Sequence, residues 1–363
     1  MSINEVIVYL MVAFMALGAV DRILGNRFGL GEKFEEGVMA MGSLALAMIG
    51  IICLAPVLAG LLRPVVVPFY QLLGADPAMF AGTILANDMG GAPLAKELAL
   101  TEEAGRFGGL IVGAMLGPTI VFTIPVGLGI IQPEDRPALA TGVLAGVITV
   151  PIGALAGGLA AGFPLMMVLR NLLPIVLFAV LIALGLALVP GGMVKGFQIF
   201  GRIIVIVITI GLAAAIIEAL TPLTLIPGLN PIDEGVSIVG DIAIVLAGAF
   251  PLVYVITKVF QKPLMKLGGL LGMNDVAAAG MVATLANNIP MFQMLHDMDR
   301  RGKIVNVAFA VSAAFVFGDH LGFTAGFDPT MIFPMIVGKL VGGVTAVAAA
   351  LFLTRKEGAH GPK

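Results

Sequence analysis

Apolar runs about 20 residues long, the length a helix needs to cross the hydrocarbon of a bilayer, follow one another along almost the whole chain. They fall at roughly 5–21, 37–60, 107–131, 138–161, 172–190, 203–222, 237–257, 304–325 and 331–353. Backbone groups in lipid have no water to bond, so such runs must satisfy themselves as helices or as a closed barrel. Runs of this length select the helix. Of the 363 residues, 59% are hydrophobic and 12% charged, about half the roughly 25% charged fraction of soluble domains. The sequence therefore predicts an all-α integral membrane protein, a polytopic helical bundle. The first run has no Lys or Arg ahead of it, so it reads as a retained span and not as a secretion signal.

Composition also removes whole classes of function. A net charge of −2 does not suit a nucleic-acid partner, which calls for a basic face. A single cysteine, Cys53, rules out an intramolecular disulfide framework and reads as a small buried hydrophobe. There is no G-x-x-x-x-G-K-[ST] loop for an ATP motor and no H-E-x-x-H or G-x-S-x-G motif for a hydrolase. Neither catalysis nor a metal or cofactor is expected. An enzyme would have to work with Asp319-His320 as its catalytic pair, and a scaffold would need larger soluble loops than this chain has.

The chain repeats itself. GADPAMFAGTILANDMGG (74–91) matches GMNDVAAAGMVATLANNIP (272–290): Gly74 and Gly82 pair with Gly272 and Gly280, and Leu85-Ala86-Asn87 with Leu285-Ala286-Asn287. Upstream, Pro56, Arg63 and Pro68 match Pro251, Lys258 and Pro263; downstream, Gly105-Arg106 parallels Gly302-Lys303. The expected organisation is a first membrane repeat over 1–171, a linking span at 172–190 and a second repeat over 191–363. Segments 65–103 and 264–299, apolar and then polar, read as re-entrant. If both re-enter, fifteen Lys and Arg lie on one side and four (Arg63, Lys96, Arg106, Arg170) on the other; full crossing would make this twelve against seven. The positive-inside rule favours re-entry, with an outside N-terminus and a cytoplasmic C-terminus. Five spans then separate equivalent points, so the repeats are inverted, with their broken tips expected to converge near the midplane, as in many transporters.

Polar side chains at membrane depth are costly and usually face a cavity or one another. Asn87-Asp88 and Asn287-Asn288 each follow a short apolar arm at matching places in the two repeats. An Asn amide can meet a hydroxyl and an Asp carboxylate an ammonium; alternatively these residues only cap broken helices. Thr119 and Asp319-His320 occupy roughly equivalent positions further on, and the latter reads either as part of a site or as a hydrogen-bonded pair near the outer interface. The candidate substrate-binding set is Asn87, Asp88, Thr119, Asn287, Asn288, Asp319 and His320. Glu218 and Asp241 lie near span ends, and Lys339 reads as a snorkelling side chain.

The opening MSINEVIVYLMVAFMALGAVDRILGNRFGLGEKFEEG, the stretch GTILANDMGGAPLAKELA and LANNIPMFQMLHDM resemble the ethanolamine-utilisation membrane permeases, the EutH family, and the likeness runs over nearly the whole chain. The resemblance implies uptake of ethanolamine across a bacterial inner membrane, with the small-molecule substrate and the lipid bilayer as partners. A cation-coupled carrier of another small amine or a nucleoside-like solute is the alternative within transport. Neither resemblance nor composition sets the oligomeric state, and a homo-oligomer is compatible with both.

Overall fold

The computed structural model describes residues 2–355; Lys356 and Lys363, counted above among the cytoplasmic charges, lie outside the described residues. Every regular element among the described residues is helical. The helices are α1 (Ile3–Ile23), α2 (Leu30–Leu72), α3 (Ala78–Ile84), α4 (Gly91–Leu98), α5 (Glu102–Val112), α6 (Leu116–Ile130) and α7 (Pro133–Ala160). They continue with α8 (Leu165–Leu188), α9 (Pro190–Leu220), α10 (Ile232–Leu270), α11 (Asp275–Thr284), α12 (Ile289–Met294), α13 (Arg300–Ala313), α14 (Asp319–Phe327) and α15 (Ile332–Leu353). Among the described residues, seven helices are long and apolar enough to cross a bilayer, or eight when α5 and α6, bent by 42° at their junction, count as one broken span.

The exterior is apolar and the interior carries the polar groups. Leu10 and Leu17 on α1 and Leu173, Leu177 and Leu181 on α8 are exposed, whereas Asn87, Asn288, Asn306, His320 and Lys339 are buried. Lipid favours this distribution: nothing outside can solvate a polar group, so such groups turn inward and find partners. Cys53 is fully buried, as a small hydrophobe should be.

The matching helices α2 and α10 pack against each other along their length. Gly37 of α2 lies against Leu246 of α10, and Gly235 of α10 against Ile49 of α2. The contact point moves up one helix as it moves down the other, so they run antiparallel, as inverted repeats require. At 43 residues and about 1.5 Å per residue, α2 is roughly 65 Å long, about twice the hydrocarbon thickness. It carries Pro56, Pro64 and Pro68 within it. The first helix of each half packs on the long helix of the other: α1 lies on α10 and α9 on α2. Gly248 is pressed against the Met11 carbonyl, and Gly50 against that of Ile208.

Two expected spans are corrected. Residues 107–131 divide between α5 and α6, bent by 42° at their junction. Residues 304–325 are not a continuous helix either: α13 ends at Ala313, and α14 begins at Asp319. Between them Phe315 takes a left-handed backbone (φ 64°), rare for a bulky residue. The turn lets the Phe315 and Phe317 N–H groups donate to the Thr284 and Leu285 carbonyls at 3.2 and 2.9 Å. These carbonyls belong to the break between α11 and α12. The first half solves the same problem in reverse: the Asn87 N–H donates to the Gly113 carbonyl at 2.7 Å, within the α5–α6 break. Each broken tip thus meets a broken span, and the backbone groups freed by one are satisfied by the other. Residues 65–72 and 264–270, expected to open the two re-entrant segments, complete α2 and α10.

Ion pairs outside the cavity described below join the halves. Arg106 lies 2.9 Å from Asp328, and Lys303 lies 2.5 Å from Asp135, which His296 also approaches at 3.2 Å. Arg106 and Lys303 are the matched basic residues of the repeat, and each reaches a carboxylate in the opposite half.

Candidate functional site

Asp88 sits on a single 3₁₀ turn, Asn87–Met89, that follows the break after α3. Two glycines shape the turn. Gly90 has φ 94°, and a Cβ there would fall 2.2 Å from the Ile51 side chain. Gly91 donates its N–H to the Ala86 carbonyl at 2.8 Å and opens α4. The chain can therefore stop, present one carboxylate and restart within a few residues. Asp319 and His320 open α14 on the far side of the other break.

These elements enclose a cavity of about 240 Å³ lined by Asp88, Asp319 and His320, with Phe122, Phe315 and Ser43 among its other walls. His320 Nε2 lies 3.9 Å from Asp88 Oδ1, joining the two halves of the chain. Phe122 and Phe315 meet edge to face, their centroids 5.4 Å apart, and Phe315 lies 5.2 Å from the His320 ring. Two carboxylates and an aromatic wall make a surface that favours a small cation, and the Ser43 hydroxyl, which donates to the Ala40 carbonyl at 2.9 Å, still offers an acceptor.

The remaining candidates have other surroundings. Thr119 is buried, and its hydroxyl donates to the Met115 and Val311 carbonyls (2.9 and 3.1 Å). Asn287 Oδ1 accepts from the Ile289 N–H at 2.8 Å, which caps α12. Asn288 Nδ2 donates to Thr123 Oγ1 at 3.0 Å, tying its tip to α6, while its Oδ1 has no protein partner. Asn87 is fully buried, and neither polar atom of its amide has a protein partner. None of these four lines the cavity. Each tip therefore reaches the opposite half through different side chains: Asp88 toward His320, and Asn288 toward Thr123. Glu218 and Asp241 are exposed.

Lys339 departs from the snorkelling expectation. It is 1% exposed; its Nζ donates to the Ala114 carbonyl, in the α5–α6 break, and lies 3.0 Å from His320 Nδ1. A signal was present in the sequence. Gly338, Gly342 and Gly343 mark the packed face of α15, and Lys339 stands three and four residues before the last two. A lysine on the small-residue face of a span points into protein, where snorkelling is closed to it.

The chain matches the family model described as ethanolamine utilisation protein, EutH, over residues 3–353. A protein of Listeria monocytogenes named probable ethanolamine permease EutH is 71% identical, over 98% of this chain and 95% of that one. A protein of the same name in Escherichia coli is 53% identical over all of this chain and 98% of that one. An uncharacterized Bacillus subtilis protein, YxeR, is 52% identical over all of this chain and 98% of its own length. No solved structure gives a significant match. The family model takes in both broken tips and both long helices, so the chain belongs to the EutH family of ethanolamine utilisation proteins.

Proposed function

We propose that this chain is a transporter and not an enzyme, and that it carries ethanolamine, as its protonated cation, across the bacterial inner membrane into the cytoplasm. The reading rests on one observation above all: Asp88 from one half and Asp319-His320 from the other line a single cavity with an aromatic wall. Ethanolamine at acidic pH is a small cation with one hydroxyl, and the carboxylates, aromatic faces and Ser43 answer both ends of it. The names of the Listeria and Escherichia relatives point the same way. Labelled ethanolamine entering proteoliposomes at about pH 5.5, where almost none of the amine is neutral, is the direct test. Uptake no faster than into protein-free vesicles would refute the reading.

The proposed organisation keeps the repeats at 1–171 and 191–363, with 172–190 linking them, an outside N-terminus and a cytoplasmic C-terminus. The antiparallel packing of α2 and α10 and the charge distribution support it. With Cys53 replaced, a cysteine placed near Glu102 is expected to react with an impermeant thiol reagent from outside, and one near Arg301 from the cytoplasm. Labelling at Glu102 from the cytoplasm alone would invert the topology.

A further inference from the structure

We propose that the carrier exchanges one ethanolammonium ion for one proton, and that Lys339 sets this ratio. The proposal rests on the transport reading above and goes beyond it by naming the coupled ion. The titratable groups lining the cavity are Asp88 and Asp319 from the 3₁₀ turn and α14, and His320. Lys339 stands behind His320 on α15. The other elements at the cavity contribute Ser43 and Leu44 from α2, Pro118 and Phe122 from α6, and Phe315, none of which is ionised.

Lys339 Nζ and His320 Nδ1 are 3.0 Å apart. An ammonium can donate there only to an unprotonated ring nitrogen, so the two groups together carry at most one positive charge. In the proposed state Lys339 is the charged donor, and the His320 proton sits on Nε2, the nitrogen that faces Asp88. The cluster then holds two carboxylates and one cation, one negative charge in excess.

An unbalanced charge enclosed in a low-dielectric interior is expensive. Bound ethanolammonium cancels it. The substrate-free carrier cancels it by taking a proton on Asp88 or Asp319, so both forms that must change conformation are neutral. At the outer face, ethanolammonium enters as the carboxyl releases its proton to the outside. At the inner face, a cytoplasmic proton returns to the carboxylate as ethanolammonium leaves. The sum is one ethanolammonium inward and one proton outward. This moves no net charge and equals delivery of the neutral amine, at a rate not limited by the scarcity of free base in acid.

The test uses the purified full chain in proteoliposomes with a trapped pH indicator and a potassium–valinomycin clamp, at an external pH of about 5.5. The expected result is protein-dependent uptake that raises lumenal pH by one base equivalent per ethanolamine. Clamping the lumen at −100 mV should change steady accumulation by less than about twofold, whereas entry of the bare cation would raise it about fiftyfold. Accumulation that follows the potential with a flat lumenal pH overturns the exchange but leaves transport standing. No uptake above protein-free vesicles overturns the transport reading itself. The role of Lys339 has a separate readout. In Lys339→Gln the loaded site keeps one negative charge in excess and must retain a proton, so its uptake profile should move to lower pH. A loss of more than about tenfold near pH 7.5 is expected to narrow to about threefold near pH 5.5. An equal fractional loss at both values would remove Lys339 from the charge balance, and if the variant does not fold, the wild-type proton count decides.

Discussion

Asp88→Asn is expected to lower protein-dependent ethanolamine uptake at about pH 5.5 by at least about thirtyfold, with insertion into the membrane intact. The figure follows from the roughly 2–5 kcal/mol lost when one partner of a desolvated charge pair is removed. Asp88 lines the cavity, faces His320 at 3.9 Å and sits on a turn whose two glycines serve its presentation. The amide is nearly isosteric, so the loss reports charge and not shape. At about pH 9.5 the difference in total uptake should shrink, because the neutral amine then crosses the lipid unaided. Asp319→Asn run in parallel divides the work between the carboxylates. A normal Asp88→Asn beside an inactive Asp319→Asn would place the ammonium on α14. Normal uptake by both would show that amides and backbone carbonyls hold the substrate.

The second large effect concerns folding. Gly117→Ala and Gly318→Ala are each expected to lower the thermal midpoint in detergent by several degrees and to reduce yield. An added Cβ would lie 1.9 Å from the Leu85 carbonyl oxygen at Gly117, and 2.1 Å from that of Ala286 at Gly318. Overpacking costs about 1–3 kcal/mol in ordinary cores. These positions should reach the upper end, since backbone meets backbone where flexible side chains cannot give way. Gly60→Ala is the control: nothing lies within 4 Å of its added Cβ, and a helix-interior alanine should leave the midpoint unchanged or slightly higher. Equal midpoints for all three variants would mean that the tips are not clamped as the structure has them.

How much of this was legible beforehand depended on whether a feature is local. Leu85-Ala86-Asn87 and Leu285-Ala286-Asn287 announced their breaks because Asn, a Gly pair and Pro290 follow apolar arms directly. The break at 314–318 did not, because it lies in an apolar run whose interruption comes from bonds to Thr284 and Leu285. Hydropathy records how well a side chain tolerates lipid, not which carbonyl an N–H will find. Asp88, Asp319 and His320 were legible as residues out of place in a membrane, although not as neighbours. Asn287 and Thr119 shared that pattern and yet cap a helix and bond carbonyls, because polarity at depth marks a need for a partner without saying whether the partner is a ligand. Lys339 is buried, not snorkelling, because the face it occupies on α15, not its distance from the span end, decides where it points.

The exchanged first helices limit how such a molecule can move. With α1 lying on α10 and α9 on α2, the halves are laced together like clasped hands, and neither can tilt as a unit without dragging part of the other. A seesaw of one intact half against its twin would shear both contacts, at Gly50 and Gly248, where the backbones are pressed together. The long helices and their exchanged partners therefore form a frame, and the broken pieces are seated on it at glycines too: Gly90 against Ile51 of α2, and Gly322 against Leu246 of α10.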